Sequence, residues 1–136
     1  MDRLTPQRRS WLMAQVKSKH TSPELRVRSA AHSLGLRFRL HRKDLPGSPD
    51  LVFVKSKTAL FVHGCFWHRH PHCAKASTPK SRVEFWAGKF DANVKRDKRN
   101  RRDLRKLGWK VLTIWECQTR SPLLLLARLQ RLFNMK

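Results

Sequence analysis

A short segment rich in metal-binding side chains constrains the fold of this chain most strongly. Residues 64–73 contain two of the three cysteines and three of the seven histidines, and the third cysteine is Cys117. Three thiolates and one imidazole make a closed tetrahedral zinc site, which can hold a long irregular loop in place. The sequence therefore predicts a structural zinc ion bound by Cys65, His70, Cys73 and Cys117.

The sequence leaves two alternatives to this ligand set open. His72 could replace His70 as the imidazole ligand, because both histidines lie close to Cys73. Alternatively, the thiols are free and the segment is a histidine-rich basic loop. A disulfide framework is disfavoured, because the start of the sequence lacks the apolar stretch of a secretory signal and we expect a cytoplasmic location.

Cap residues, turns and apolar periodicity divide the chain into helices and strands. Thr21 and Glu24, and again Ser81 and Glu84, have the spacing of a capping box, and Gly35 suits a helix end. The predicted elements are a basic helix at 5–17 capped by Thr5, a helix at 21–34, a strand at 36–41, a hairpin of strands 51–54 and 58–62, a helix from 81 to Gly108, a strand at 109–115 and a last helix from Ser121. This order predicts one α/β domain spanning 1–136, with a mixed sheet and helices on both faces.

The predicted hairpin brings an acidic residue close to two histidines. If the polar segment 55–57 forms the turn, Asp50 lies opposite Val62, with His63 next in the chain and His68 in the adjoining loop. A carboxylate and a main-chain carbonyl are oxygen ligands that suit Mg²⁺. An imidazole can take a proton from water at neutral pH. Together these groups favour hydrolysis of a phosphodiester, with the metal on the phosphate and histidine on the attacking water.

The charge balance indicates the partner. Lysine and arginine number 31 against nine acidic residues, a formal net charge of +22. Such a chain repels itself unless it works with a polyanion, and its cations would displace counterions from nucleic acid phosphates. A ribosome-associated protein and a protein on an anionic lipid surface are the alternatives. No apolar run is long enough to span a membrane.

Two further features have more than one interpretation. Phe66 and Trp67 either pack into the core or wedge between base pairs, whereas the position of Trp86 in the long helix favours a core residue. Asp97 and Arg101 interrupt the apolar stripe of that helix. They are either an ion pair at the rim of the helix or residues that face DNA.

Several motifs together resemble the very short patch repair endonucleases, the Vsr family. They are Pro49-Asp50, the run from Phe61 to His68 that includes His-Gly-Cys-Phe-Trp-His, the segment from Ser81 to Trp86, residues 93–97 and Trp115-Glu116-Cys117. The resemblance implies a restriction-endonuclease-like fold of the PD-(D/E)xK type. It implies a bacterial, nucleoid-associated enzyme that nicks one strand 5′ of the thymine in a T:G mismatch left by deamination of 5-methylcytosine.

The resemblance also implies roles for individual residues. Mg²⁺ would bind Asp50 and the Val62 main-chain carbonyl, His68 would be the general base, His63 would act at the scissile phosphate and Glu24 would orient the site. The implied intercalating residues are Phe66, Trp67 and Trp86, and the implied zinc ligands are Cys65, His70, Cys73 and Cys117. The basic N-terminal segment, 1–20, would contact DNA.

This sequence departs from the family pattern in several places, among them the insert Arg69-His70-Pro71-His72, which leaves the exact histidine ligand open. Val62 stands where the family has threonine, which a carbonyl ligand tolerates, and no Asp-x-Lys motif follows Asp50. A lysine-activated water is therefore not expected. We expect a monomer that binds mismatched duplex DNA and works with accessory mismatch-repair proteins. The alternative is a zinc-stapled DNA-binding module without catalysis.

Overall fold

The fold is a four-stranded sheet with helices on both faces. The computed structural model describes residues 21–74, 76 and 81–135. Its elements are α1 (Ser22–Ser33), β1 (Arg39–Leu40), β2 (Leu51–Phe53), β3 (Thr58–His63), α2 (Val83–Lys106), β4 (Lys110–Trp115), a 3₁₀ turn (Glu116–Thr119) and α3 (Pro122–Leu132). The helix predicted at 5–17, its cap Thr5 and the DNA contact expected of 1–20 lie outside the described residues.

The sheet is mixed, as the sequence predicted. Its strand order is β1-β2-β3-β4, with antiparallel pairs from β1 to β3 and a parallel pair between β3 and β4. Side chains alternate between the two faces of each strand, so β2 and β3 supply both buried clusters. One cluster packs against α1 and α3, and the other packs against Leu104 of α2. None of the described helices is both long and apolar enough to cross a membrane.

Several predicted element ends are confirmed. Thr21 caps α1 by accepting a hydrogen bond from the main-chain N–H of Glu24, and Ser121 caps α3 in the same way. Gly35 and Gly108 follow the ends of α1 and α2 with φ of +75° and +90°. Glycine adopts these left-handed conformations without the steric cost that a Cβ imposes.

Three local predictions were wrong. The expected capping box at Ser81 is absent, since α2 begins after Arg82, which has φ of 54° and makes no side-chain capping bond. The strand at 36–41 is only Arg39–Leu40, and His41 with φ of 47° ends it. The hairpin register is shifted by one residue, because Phe53 rather than Val54 pairs with Thr58.

The shifted register does not separate Asp50 from Val62. Val54 and Lys57 close a four-residue turn through a main-chain hydrogen bond of 3.1 Å, which removes Val54 from the strand. Asp50 therefore no longer lies directly opposite Val62. Its side chain still reaches Val62, whose main-chain N–H donates to the Asp50 carboxylate at 2.7 Å.

Two glycine substitutions should change stability in opposite directions. Gly47 has φ of +75°, and a Cβ there would lie 2.7 Å from the Asn100 side chain on α2. We expect Gly47→Ala to lower the free energy of unfolding by about 1–2 kcal/mol. Gly88→Ala should raise it by about 0.5–1 kcal/mol, because Gly88 is helical and a Cβ there meets nothing within 4 Å.

Urea denaturation of the two variants beside wild type measures both effects. Equal stability of wild type and Gly47→Ala would contradict the packing of the 45–49 loop against α2.

Candidate active site

Two carboxylates meet at the end of the hairpin. Glu24 of α1 is buried, with 1% of its surface exposed, and its carboxylate lies within 4.8 Å of the ligand atoms of Asp50 and His41. Burial and, to a smaller extent, the charge of Glu24 raise the pKa of Asp50 to about 7, against the hydrogen bond from the Val62 N–H, which lowers it. Two acids this close disfavour double ionisation. A divalent cation between them would relieve that repulsion.

Basic residues from different elements hold Glu24 in place. Arg28, one turn further along α1, donates to its carboxylate, and His41 Nε2 lies 2.9 Å from the other oxygen. Burial acts to raise the pKa of Glu24, but the bonds and charges of His41 and Arg28 outweigh it and the pKa falls below the usual value. Glu24 is therefore the ionised member of the pair. Sequence reasoning missed both partners, although the i,i+4 spacing of Glu24 and Arg28 was a visible signal.

The two histidines predicted beside Asp50 stack on each other. The rings of His63 and His68 are parallel within 6°, with centroids 3.9 Å apart. Burial and, to a smaller extent, the charges of His68 and Arg101 lower the pKa of His63 to about 3, against the charge of Asp97, which raises it. His63 is thus a neutral imidazole, and its Nδ1 has no hydrogen-bond partner among the described residues. His68 is the more exposed ring of the pair.

Asp97 has a different partner from the one the sequence suggested. Its carboxylate lies 2.7 Å from His68 Nδ1. The sequence suggested either an ion pair with Arg101 or a role facing DNA, and neither alternative included this contact. Burial acts to raise the pKa of Asp97, but the bond to His68 and the charges of His63, His68 and Arg101 outweigh it and lower the pKa. An ionised carboxylate only accepts hydrogen bonds, which places a proton on Nδ1; in the neutral ring, Nε2 is then the nitrogen that can accept a proton.

Asp50, His63, His68 and Asp97 line one groove, which we call the active-site groove. It has a volume of about 670 Å³ and combines the acid and imidazole groups with cations and amides. Its lining includes His41, Lys43, Asp50, Val62, His63, His68, Asn93, Arg96, Asp97 and Asn100. A larger cavity of about 1100 Å³ lies between β1, β2 and Phe133, but its lining in the described part of the chain has no acid and no histidine. The smaller groove is the one equipped for chemistry.

Three thiols and one imidazole meet at the end of β3 and β4. Strands β3 and β4 run parallel, which brings the main-chain N–H of Cys117 within 3.4 Å of Cys65 Sγ. His70 Nδ1 lies 3.7 Å from Cys65 Sγ and 3.5 Å from Cys117 Sγ. Together with Cys73, all four ligand atoms fall within 4.8 Å of one another.

The geometry of this cluster fits a tetrahedral metal. With typical zinc–sulfur and zinc–nitrogen bond lengths, neighbouring ligand atoms lie about 3.5–3.8 Å apart. Burial raises the pKa of the Cys65 thiol to about 12, so a bound cation would have to displace its proton. His72 lies outside the cluster and is exposed. Of the two histidines considered from the sequence, the structure brings His70 to the thiols.

The predicted intercalating aromatics form one cluster beside the groove. Phe66 packs against Trp67 and Trp86 with centroid distances of 5.1 and 5.7 Å, and the two tryptophans lie 5.6 Å apart. All three are half-buried, whereas Phe90 beneath them is buried. We call Phe66, Trp67 and Trp86 the aromatic cluster. Its members, including Trp86, are therefore neither fully core nor fully exposed.

Comparison with known proteins places the chain in a family. Residues 1–75 match the family described as DNA mismatch endonuclease Vsr. The type II nicking enzyme V.XorIIP of Xanthomonas oryzae pv. oryzae is 51% identical over 133 residues, covering 98% of this chain and 97% of that enzyme. DNA mismatch endonuclease Vsr of Escherichia coli K12 is 43% identical over 113 residues, covering 83% of this chain and 72% of that protein. The chain is a DNA-nicking endonuclease and belongs to the Vsr family of DNA mismatch endonucleases.

Proposed function

We propose that this enzyme nicks one DNA strand 5′ of the thymine in a T:G mismatch that arises from deamination of 5-methylcytosine, and so initiates very short patch repair. One observation carries the proposal: Asp50 and the His68–Asp97 pair line the same groove, together with Lys43 and Arg96. An oxygen ligand for a metal and an oriented base thus lie beside cations that suit phosphates. A restriction-endonuclease-like fold of the PD-(D/E)xK type agrees with the mixed sheet.

We propose that Asp50 and the main-chain carbonyl of Val62 bind Mg²⁺, with Glu24 orienting the site. The fit rests on the half-buried Asp50 carboxylate, whose pKa of about 7 reflects loss of solvent around the carboxyl and the adjacent charge of Glu24. When bound, Mg²⁺ would polarise the scissile phosphate and neutralise its developing charge. Hard oxygen donors are the ligands that this ion prefers.

The protein's own side chains would supply the base and the contact to the phosphate. His68 Nε2 takes a proton from the attacking water, and Asp97 holds the ring and stabilises the imidazolium that results. His63, neutral and stacked on His68, donates a hydrogen bond to the scissile phosphate. We further propose that the enzyme acts as a monomer, with accessory mismatch-repair proteins as further partners.

The aromatic cluster would recognise distortion in the duplex. We propose that Phe66, Trp67 and Trp86 insert between base pairs next to the mismatch. Unstacking costs least where a base pair is mismatched. Half-buried rings that already pack together lose little conformational freedom when they insert.

The nicking assay that tests this function uses labelled duplexes that differ in one base pair. One duplex contains T:G and the other T:A, and each is incubated with Mg²⁺ or with EDTA. We expect a nick 5′ of the mismatched thymine with Mg²⁺ alone. Tight binding without cleavage across varied flanking sequences would instead favour a DNA-binding role and defeat the proposed reaction.

We also propose that Cys65, His70, Cys73 and Cys117 bind a structural Zn²⁺. We expect His70→Ala to reduce the bound zinc from one ion per chain by at least about tenfold and to lower the melting temperature, since metal binding contributes folding free energy. His72→Ala is the matched control and should retain zinc. Elemental analysis of the purified proteins measures both, and loss of zinc from His72→Ala alone would reverse the ligand assignment.

A further inference from the structure

Two side chains on one face of α2 hold two consecutive residues of the loop after β3. Asn93 Nδ2 donates to the main-chain carbonyl of Trp67 at 3.1 Å. Asp97, four residues later, accepts from the ring of His68 at 2.7 Å. Positions i and i+4 lie on the same side of a helix. Helix α2 therefore holds the backbone of the aromatic cluster and the ring of the proposed base on one surface.

The Asn93 amide is itself fixed in one orientation. Arg96 donates to Asn93 Oδ1, and a guanidinium can only donate hydrogen bonds. The oxygen of the amide therefore faces Arg96, and its NH₂ group faces the Trp67 carbonyl. Asn93 is half-buried and lines the active-site groove with Arg96 and Asp97.

The same helix also carries a side-chain partner of Trp67. The Trp86 ring lies 5.6 Å from the Trp67 ring. Insertion of the aromatic cluster into DNA would therefore displace both the loop after β3 and α2. One peptide bond separates Trp67 from His68. A movement of the Trp67 backbone relative to Asn93 must therefore change the placement of His68 relative to Asp97.

We propose that Asn93 is a positioning residue that couples insertion of Trp67 to orientation of His68. Cleavage is then fast only when Trp67 is seated in the mismatch, which makes mismatch recognition a condition for catalysis rather than only for binding. This inference rests on the proposed function, because it requires a T:G substrate that accepts the aromatic cluster.

A double-mutant cycle measures this coupling. The single-turnover nicking rate on saturating T:G duplex is compared for wild type, Trp67→Ala, Asp97→Asn and the double variant. When Asn93 is present, the factor by which Asp97→Asn slows nicking should be at least about fivefold smaller in Trp67→Ala than in wild type. The reason is that His68 is already misplaced in Trp67→Ala. When Asn93→Ala is also present, the rate loss of the double variant should equal the product of the two single rate losses to within about twofold.

Two further variants separate coupling from other roles. Asn100→Ala removes another amide of the same groove, one that lies near Gly47, and should keep the coupling. Asn93→Asp keeps an acceptor for Arg96 but removes the donor to Trp67, so it should abolish the coupling even if Asn93→Ala does not fold.

The possible results have distinct meanings. Coupling that persists in both Asn93 variants overturns the inference. Weaker DNA binding by Asn93→Ala with unchanged coupling makes Asn93 a DNA contact and also overturns it. Failure of wild type to nick T:G duplex defeats the proposed function itself, and with it the inference.

Discussion

Asp50→Asn should lower the rate of Mg²⁺-dependent nicking by at least roughly a thousandfold. The change removes the charge that would bind the metal but keeps an oxygen that can accept the hydrogen bond from the Val62 N–H. It should not unfold the protein, because the folded state already disfavours the Asp50 charge, as its pKa of about 7 indicates. Single-turnover nicking with a labelled T:G duplex measures the rate.

The same substitution should alter how stability depends on pH. The pKa of Asp50 rises from 3.8 to about 7, mainly because the carboxyl is buried. The folded state therefore binds more protons than the unfolded state between these pH values, and stability falls as pH rises through that window. In EDTA, wild type should lose stability relative to Asp50→Asn from about pH 4 to pH 7.

Asp44→Asn is the matched control for Asp50→Asn. Asp44 lies six residues earlier, pairs with Arg42 and is exposed. We expect its nicking rate to stay within about twofold of wild type, because exposed ion pairs contribute little. Normal nicking by Asp50→Asn would remove Asp50 from the reaction and require another metal ligand.

His68→Ala should slow nicking by roughly 10²–10⁴-fold with little change in DNA affinity, which is the usual contribution of a general base. Asp97→Asn should have a smaller effect, roughly 10–100-fold, because His68 remains but loses the partner that orients it. Titration of T:G duplex by fluorescence anisotropy separates affinity from the single-turnover rate.

His72→Ala provides the control for both variants. His72 belongs to the same loop but is exposed and lies outside every cluster of metal-binding side chains in the described residues. Its nicking rate should match that of wild type. Equal rates for Asp97→Asn and wild type would show that the 2.7 Å contact with His68 does not orient the base.

Local sequence patterns predicted which residues of the site come together better than they predicted the hairpin register and the turn. Asp50, Val62 and His63 were brought together by counting residues across a hairpin, and the structure brings them together although the register differs by one residue. The count succeeded because Asp50 has a side chain long enough to bridge one position. The turn was misjudged because Val54, apolar and exposed, looked like a strand residue.

Two of the contacts that sequence reasoning missed join elements distant in the chain. His41 meets Glu24 across 17 residues, and Asp97 meets His68 across 29. Propensity and periodicity act within a few residues and cannot specify such pairs. A useful signal was present all the same: the chain has only nine acidic residues, and Asp97 interrupts an apolar helix face. An acid in that position needed a partner.

We expect the parallel pairing of β3 with β4 to determine the point during protein synthesis at which nicking activity can appear. Asp50, His63 and His68 precede α2, whereas β4, which pairs with β3 along its whole length, follows α2. A nascent chain that ends within α2 thus has β3 paired with β2 but not yet with β4, and Cys65 lacks Cys117. Such long-range pairing forms late. We therefore expect the growing chain to nick DNA only after β4 has been synthesised and has paired with β3.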